Sequence, residues 1–369
     1  MKPSVRRAST LGLMVVLGSV DILPLSSAYA QEVQHGDHSA HTPVDLQGLA
    51  VGIAHGATLG AVVFLTGLVM FAALVWLPAS EEEDTDQEKD VNLFCRWMWM
   101  LVGMLTVAGV VEIPLYAVRA SGENLSPGLL VEALFATRVG QLWIERLALG
   151  ILTAAAATYA AQRLRRPAYW WVAIVVAMAM LITITQQSHA AAEGGLLPFA
   201  ADWLHLMAGS LWMGGLLGFP LLLIGPLRVM PAERRAKLLG SVVPRFSKVA
   251  AMAIMSLILT GLVAILLHVP SLSALFDTAY GRALTMKFGL LVLMLPIGGL
   301  NLIDRGQGPF GRMVSAELIL AVGVFVATGF LTNLPPANVE IAGANDATSP
   351  GHVSQPAPTL REPPMPNAP

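Results

Sequence analysis

Eight apolar runs, near 49–77, 95–118, 138–160, 168–189, 202–225, 246–268, 281–303 and 313–333, decide what this chain can fold into. Roughly 20 such residues span the hydrocarbon core of a bilayer as a helix. The runs therefore predict an all-α membrane protein with eight transmembrane helices. Composition agrees, with 55% hydrophobic and 12% charged residues, against about 25% charged in ordinary soluble domains. A net charge of −2 with no basic patch gives no reason to expect a nucleic-acid partner. The one cysteine, Cys95, excludes an internal disulfide and a CxxC metal site.

Residues 1–30 read as a secretory signal peptide. Lys2, Arg6 and Arg7 precede an apolar core from Leu11 to Val20, and Ala28-Tyr29-Ala30 forms a small-x-small cleavage site. Asp21 argues against a spanning helix there. Residues 31–48 form a periplasmic His-rich segment with His35, His38 and His41, and residues 337–369 a Pro-, Ala-, Asn- and Ser-rich periplasmic tail. That tail lacks the apolar surface to offset ordering, so it is expected to be disordered. With the mature N-terminus outside, thirteen Lys and Arg fall on the inner side and four on the outer. Positive charge favours the cytoplasmic side, so both termini are expected in the periplasm of a cytoplasmic (inner) membrane.

The two halves resemble each other. Phe94, Arg96 and Gly109 match Phe246, Lys248 and Gly261 at an offset of 152. Thr137, Gly140 and Arg146 match Thr278, Gly281 and Lys287 at 141, and His55 matches His205 at 150. Four helices per half return the chain to the side it started from. The expectation is two parallel four-helix repeats, 49–190 and 191–336, related by an axis along the membrane normal.

The chemistry-bearing residues gather at one surface. His55, His189, His205 and His268 each lie at the outer end of an apolar run, and imidazole is the commonest metal ligand. The loop from His189 through Glu193 and Asp202 to His205 brings two imidazoles and two carboxylates together. Such donors suit Cu(II), Zn or Ni, whereas thioether suits Cu(I). Met213, eight residues beyond His205, returns near the same helical face and is a candidate inner ligand. Met98, Met100 and Met104 offer a thioether stripe, although Met stripes more often fill cores. Glu112 lies within a span, where a carboxylate is costly and marks a functional candidate. Arg146 and Lys287 are expected to pair with Glu145 or Glu112. His55 and His205 are expected to face each other across the repeat axis, with hydrogen bonding inside each half as the alternative. No nucleophile–base pair and no phosphate-binding loop is readable, so no catalytic site is expected.

Asp202-Trp203-Leu204-His205 through Trp212-Met213-Gly214-Gly215 resembles the signature of the copper resistance protein D family. Thr278-Ala279-Tyr280-Gly281 through Met286-Lys287, and Leu331-Thr332-Asn333-Leu334-Pro335-Pro336, are similar to it as well. The resemblance implies an inner-membrane copper-handling protein that moves copper ion (Cu+ or Cu2+) toward the cytoplasm beside a separate small periplasmic copper-binding protein. A b-type cytochrome with haem held by histidines near the periplasmic face, and a non-transporting scaffold, are the alternatives. For topology, a reporter fused after Arg235 should be active only on the cytoplasmic side; a fusion active only in the periplasm would refute the orientation.

Overall fold

The computed structural model describes residues 46–82, 88–163, 167–188, 194–224, 230–303 and 310–341. The signal peptide, the His35–His41 tract and the tail beyond 341 lie outside the described residues. Every regular element among those residues is helical. α1 (Leu46–Phe71) passes through a π-helical stretch, Ala72–Trp76, into α2 (Leu77–Glu82). There follow α3 (Glu88–Ser121), α4 (Pro127–Phe135), α5 (Arg138–Ala161) and α6 (Pro167–Thr185). The second half supplies α7 (Leu196–Ile224), α8 (Ala232–His268), α9 (Ala274–Asp277), α10 (Ala279–Ile303) and α11 (Phe310–Leu331). Among the described residues, seven helices are long and apolar enough to cross a membrane, the run from α1 into α2 counting as one; the apolar stretch Ala316–Leu331 of α11 is shorter.

α1 is the axle of the bundle. Its apolar stretch is almost wholly buried, and it packs against α3, α6, α7 and α11. In lipid, helices gain nothing by merely hiding apolar surface from their surroundings, so close backbone packing through small residues has to hold them. Glycine supplies it on two faces. A Cβ at Gly67 would fall on the Ser210 carbonyl and Gly214 of α7, and one at Gly329 of α11 on the backbone of Gly52 and Gly56. Toward the far end, Phe71, Phe219 and Phe246 interlock edge to face at 5.2–6.0 Å and tie α1, α7 and α8 together. The π-helical stretch has a local cause in Pro78. Proline cannot donate to the carbonyl four residues back, and Leu77 N–H reaches Ala72 O instead.

One boundary and two short helices differ from the sequence expectation. α8 begins at Ala232, so much of the expected 227–245 loop is helical. Glu233, Arg234, Arg235 and Lys237 are good helix formers on an exposed face, while Leu238, Val242 and Val243 pack beneath Phe71, Val75 and Phe219. Hydropathy reports lipid contact, and this part of the helix is amphipathic. The short helices α4 and α9 likewise occupy stretches read as loops.

A local arrangement recurs 141 residues apart. Thr137 caps α5, accepting from Gly140 N at 3.1 Å and donating to Ala133 O at 2.5 Å. Thr278 does the same before α10, with Gly281 N at 2.9 Å and Ala274 O at 2.6 Å. Gly140 and Gly281 each press on the backbone of the preceding short helix, where no Cβ fits. The halves differ in one seam. The Trp143 indole of α5 lies directly on Gly109 of α3, whereas α8 and α10, with Gly261 and Leu284 at the matching positions, barely touch.

Gly67→Leu should drive the α1–α7 crossing apart. Overpacking of this kind costs about 1–3 kcal/mol or more, so detergent-solubilised protein should unfold at a clearly lower temperature. A variant as heat-stable as wild type would show that the crossing is not a constraint.

Candidate functional site

In the first half, the site starts from one face of α1. His55 and Thr58 are three residues apart and so share that face. Both reach Glu112 of α3: His55 Nδ1 lies 2.6 Å from Oε1, and Thr58 Oγ1 donates to Oε2 at 2.6 Å. All three side chains are buried. A carboxylate accepts, so Nδ1 carries the hydrogen and Nε2 is the ring nitrogen left for other chemistry. An imidazole held this way by a carboxylate has its orientation and tautomer fixed, as in metal sites where the other nitrogen binds the ion. Arg146 of α5 acts electrostatically on Glu112. It is 1% exposed and is itself anchored on α6 and just beyond, to Thr183 Oγ1 at 3.1 Å, Thr183 O at 3.0 Å and Gln187 Oε1 at 2.8 Å.

The second half holds its histidine differently. His205 Nδ1 lies 2.9 Å from Thr260 Oγ1 of α8, and that hydroxyl donates to Ser256 O at 2.7 Å. With its hydrogen committed, Thr260 accepts from Nδ1–H, so Nε2 is again the remaining nitrogen. Asp202, three residues earlier on α7, interacts electrostatically with Lys287 of α10 and His268 of α8. Thr185 and Ser188 lie beside its carboxylate. Nevertheless, Oδ2 of Asp202 and Oγ1 of Thr185 are buried without a hydrogen-bond partner among the described residues. His268 donates Nδ1–H to Ala264 O at 2.7 Å and stacks on Tyr280 at 6.2 Å, joining the end of α8 to the start of α10.

Several expectations take definite form in this geometry. Glu112 pairs with His55 and, through charge, with Arg146. The charge that acts on Lys287 is that of Asp202 rather than Glu145 or Glu112, and Glu145 faces Arg138 at 3.7 Å. His55 and His205 each hydrogen-bond to the next long helix of their own half. Met213 and Met98 are buried in the apolar core, while Met100 and Met104 are exposed on the outside of α3. That outward face is unsuited to a thioether path shielded from lipid. His189 and Glu193 lie outside the described residues. Among the described residues, no three His, Cys, Asp or Glu side chains are grouped closely enough to hold a metal ion. Thr58, Thr260 and Thr183 escaped the sequence reading; only Thr58 carried a signal, its three-residue spacing from His55.

Residues 44–199 match the family described as Copper resistance protein D-like, N-terminal domain, and residues 240–331 match Copper resistance protein D. The chain belongs to the copper resistance protein D family. It is a multi-pass membrane member of that family. It is 30% identical over 260 residues to the copper transport protein CutJ of Bacillus subtilis (strain 168), covering 67% of this chain and 47% of that protein. It is also 30% identical over 209 residues to copper resistance protein D of Pseudomonas syringae pv. tomato, covering 54% of this chain and 65% of that one. The chain thus spans about half to two thirds of the length of the curated relatives it matches. No solved structure matches it. Neither family description nor either relative's name mentions haem.

Removing one member of a buried ionic pair typically costs about 3–5 kcal/mol, because it strands the other. His55→Ala and Glu112→Gln should therefore be strongly non-additive, with a coupling of about 0.5–3 kcal/mol in a double-mutant unfolding cycle. Strict additivity would mean that the two side chains do not act together.

Proposed function

We propose that this protein captures copper at the periplasmic face of the inner membrane and passes it toward the cytoplasm. Support comes from the copper names of its family and relatives, joined to one geometric observation. Two imidazoles, on the adjacent helices α1 and α7, are each pinned through Nδ1 and so offer Nε2 as a lone-pair donor. In this reading His189 and His205, assisted by Asp202 or Glu193, form the entry station. His55, oriented by Glu112, forms its counterpart. Imidazole and carboxylate donors suit Cu(II), while Met213 deeper in the core would suit Cu(I). His268 lines the same end. One ring nitrogen does not hold an ion, so the outer loop around 189–193 supplies further donors or the two halves share the ion.

The architecture proposed for this transport is eight spans, with α11 as the eighth, arranged as two parallel four-helix units. α1 and α7 lie at their junction, and the ion moves along it. The recurring Thr–Gly caps at 137–140 and 278–281 and the central α1–α7 packing support this arrangement. A separate small periplasmic copper-binding protein would deliver the ion, with the His35, His38 and His41 tract as an additional collector.

Copper bound per purified protein, measured by elemental analysis and chelator competition, tests the reading. His55→Ala and His205→Ala should each lower it, with the double substitution little worse than either, as for groups acting as a unit. Glu112→Ala should weaken binding roughly 10–100-fold, the usual range for a group that orients a ligating histidine. Unchanged stoichiometry and affinity in both histidine variants would overturn the proposal.

A further inference from the structure

We propose that α4 and the stretch Leu272–Asp277, which includes α9, are a matched pair of interfacial anchors. They insert apolar side chains into the lipid leaflet at the His268 end of the bundle and so fix the level of α5 and α10 in the bilayer. The partner is a phospholipid surface, and the proposal stands apart from the copper reading.

Each segment has two faces. Val131 and Phe135 of α4 are four residues apart, share one side of the helix, and are 60% and 62% exposed. Leu272 and Phe276 stand 141 residues later and are 82% and 67% exposed. The other side is closed in both halves. Ala133 is buried in a cluster with Ile113, Ala117 and Val139, and Ala274 in one with Tyr280, Leu331 and Ala337. A single exposed leucine needs no explanation, but large apolar side chains exposed at two matched pairs of positions mark a contact surface.

What covers this surface follows from where it leads. Gln141 Nε2 donates to Phe135 O at 3.3 Å, and Arg282, 141 residues on, donates from Nη1 to Phe276 O at 3.3 Å. Gln141 heads an exposed stripe on α5 that runs through Ile144, Ala148 and Ile151 at helical spacing. Arg282 heads the equivalent stripe on α10, through Met286, Gly289 and Leu293. Both helices are apolar enough to cross a membrane, so these stripes face lipid. The apolar sides of the two short segments therefore continue a lipid-facing surface, with the polar heads of Gln141 and Arg282 at the step between them. Amphipathic segments so placed sink about 5–10 Å into the boundary between headgroups and acyl chains. Recurrence decides between lipid and protein: a bilayer meets both halves at one level, whereas a partner seated on one side needs only one such surface. The Thr–Gly contacts at 137–140 and 278–281 then pass the anchor's position to the helix that follows it.

The test uses the full-length Cys95→Ser protein in phospholipid nanodiscs, spin-labelled singly through Val131→Cys, Phe135→Cys, Leu272→Cys or Phe276→Cys. Collision rates are measured with oxygen, which partitions into lipid, and with a water-soluble nickel chelate. Oxygen should dominate several-fold at all four positions, and the chelate at Glu132→Cys and Ser273→Cys, the exposed polar neighbours. Free access of the chelate to the four apolar positions places them in water and overturns the proposal. Protection from both reagents overturns it as well, because a protein neighbour excludes both, and spin–spin broadening would identify that neighbour as a second copy. Where a label disturbs folding, Phe135→Trp or Phe276→Trp is read instead by quenching from lipid brominated near the headgroup. Quenching should exceed that of the wild-type protein, and no added quenching at either position would overturn the anchor role.

Discussion

Backbone contact between α1 and α7 is the interaction on which the rest of the molecule depends. Lipid tails are as apolar as leucine, so the bundle cannot be assembled by hiding leucines from its surroundings. It is assembled where glycine removes the side chain and lets peptide groups meet, at Gly67 and Gly214 on one face of α1 and at Gly52, Gly56 and Gly329 on another. Because α1 and α7 also carry His55 and His205, the same contact that organises the fold sets the two imidazole-bearing helices side by side. Neither histidine could hold its position without the third partner, α3 for His55 and α8 for His205.

Charge inside this bundle follows the same economy of partners. Ionised groups in a low-dielectric interior persist only when paired and hydrogen-bonded. Glu112 meets that condition fully: it accepts from His55 and Thr58 and lies in the field of Arg146. Asp202 meets it incompletely: Thr185 and Ser188 lie beside it and Lys287 and His268 act on it through charge, but its Oδ2 has no hydrogen-bond partner among the described residues. One carboxylate is tied on both oxygens, and the other is not. The distinction lies in the partners, since both residues are carboxylates at comparable ends of long helices.

Much of the fold was legible because a membrane imposes a length. Each apolar run became a helix within a few residues, save where another force extended it. α8 is the clearest case: its first 14 residues, Ala232–Arg245, are charged and amphipathic, and their helicity comes from propensity and from packing against Phe71 and Phe219. The π-helical stretch at Ala72–Trp76 depends on how a helix absorbs Pro78, which no periodicity announces. At the site, Glu112 stood out because carboxylates in lipid are expensive, and His55 because of its match to His205. Which carboxylate meets which cation was not legible. Arg146 and Lys287 occupy equivalent sequence positions, yet Glu112 comes from the helix after His55 whereas Asp202 comes from the same helix as His205. Only the packing decides that.

The matching stretches of the two halves depart from each other in how their helices pack. In the first half the histidine-bearing helix, the carboxylate-bearing helix and the cation-bearing helix are packed into one another, with Trp143 on Gly109 sealing α3 to α5. In the second half the carboxylate has moved onto the histidine's own helix, and the seam between α8 and α10 has lost its indole. Lysine where the first half has arginine, and leucine where it has tryptophan, accompany an α8–α10 seam far less closely packed than the α3–α5 seam, on a common α1–α7 core. Movement in such a molecule is expected on the side of α8 and α10, where few contacts need to break, while the glycine crossings hold the core fixed.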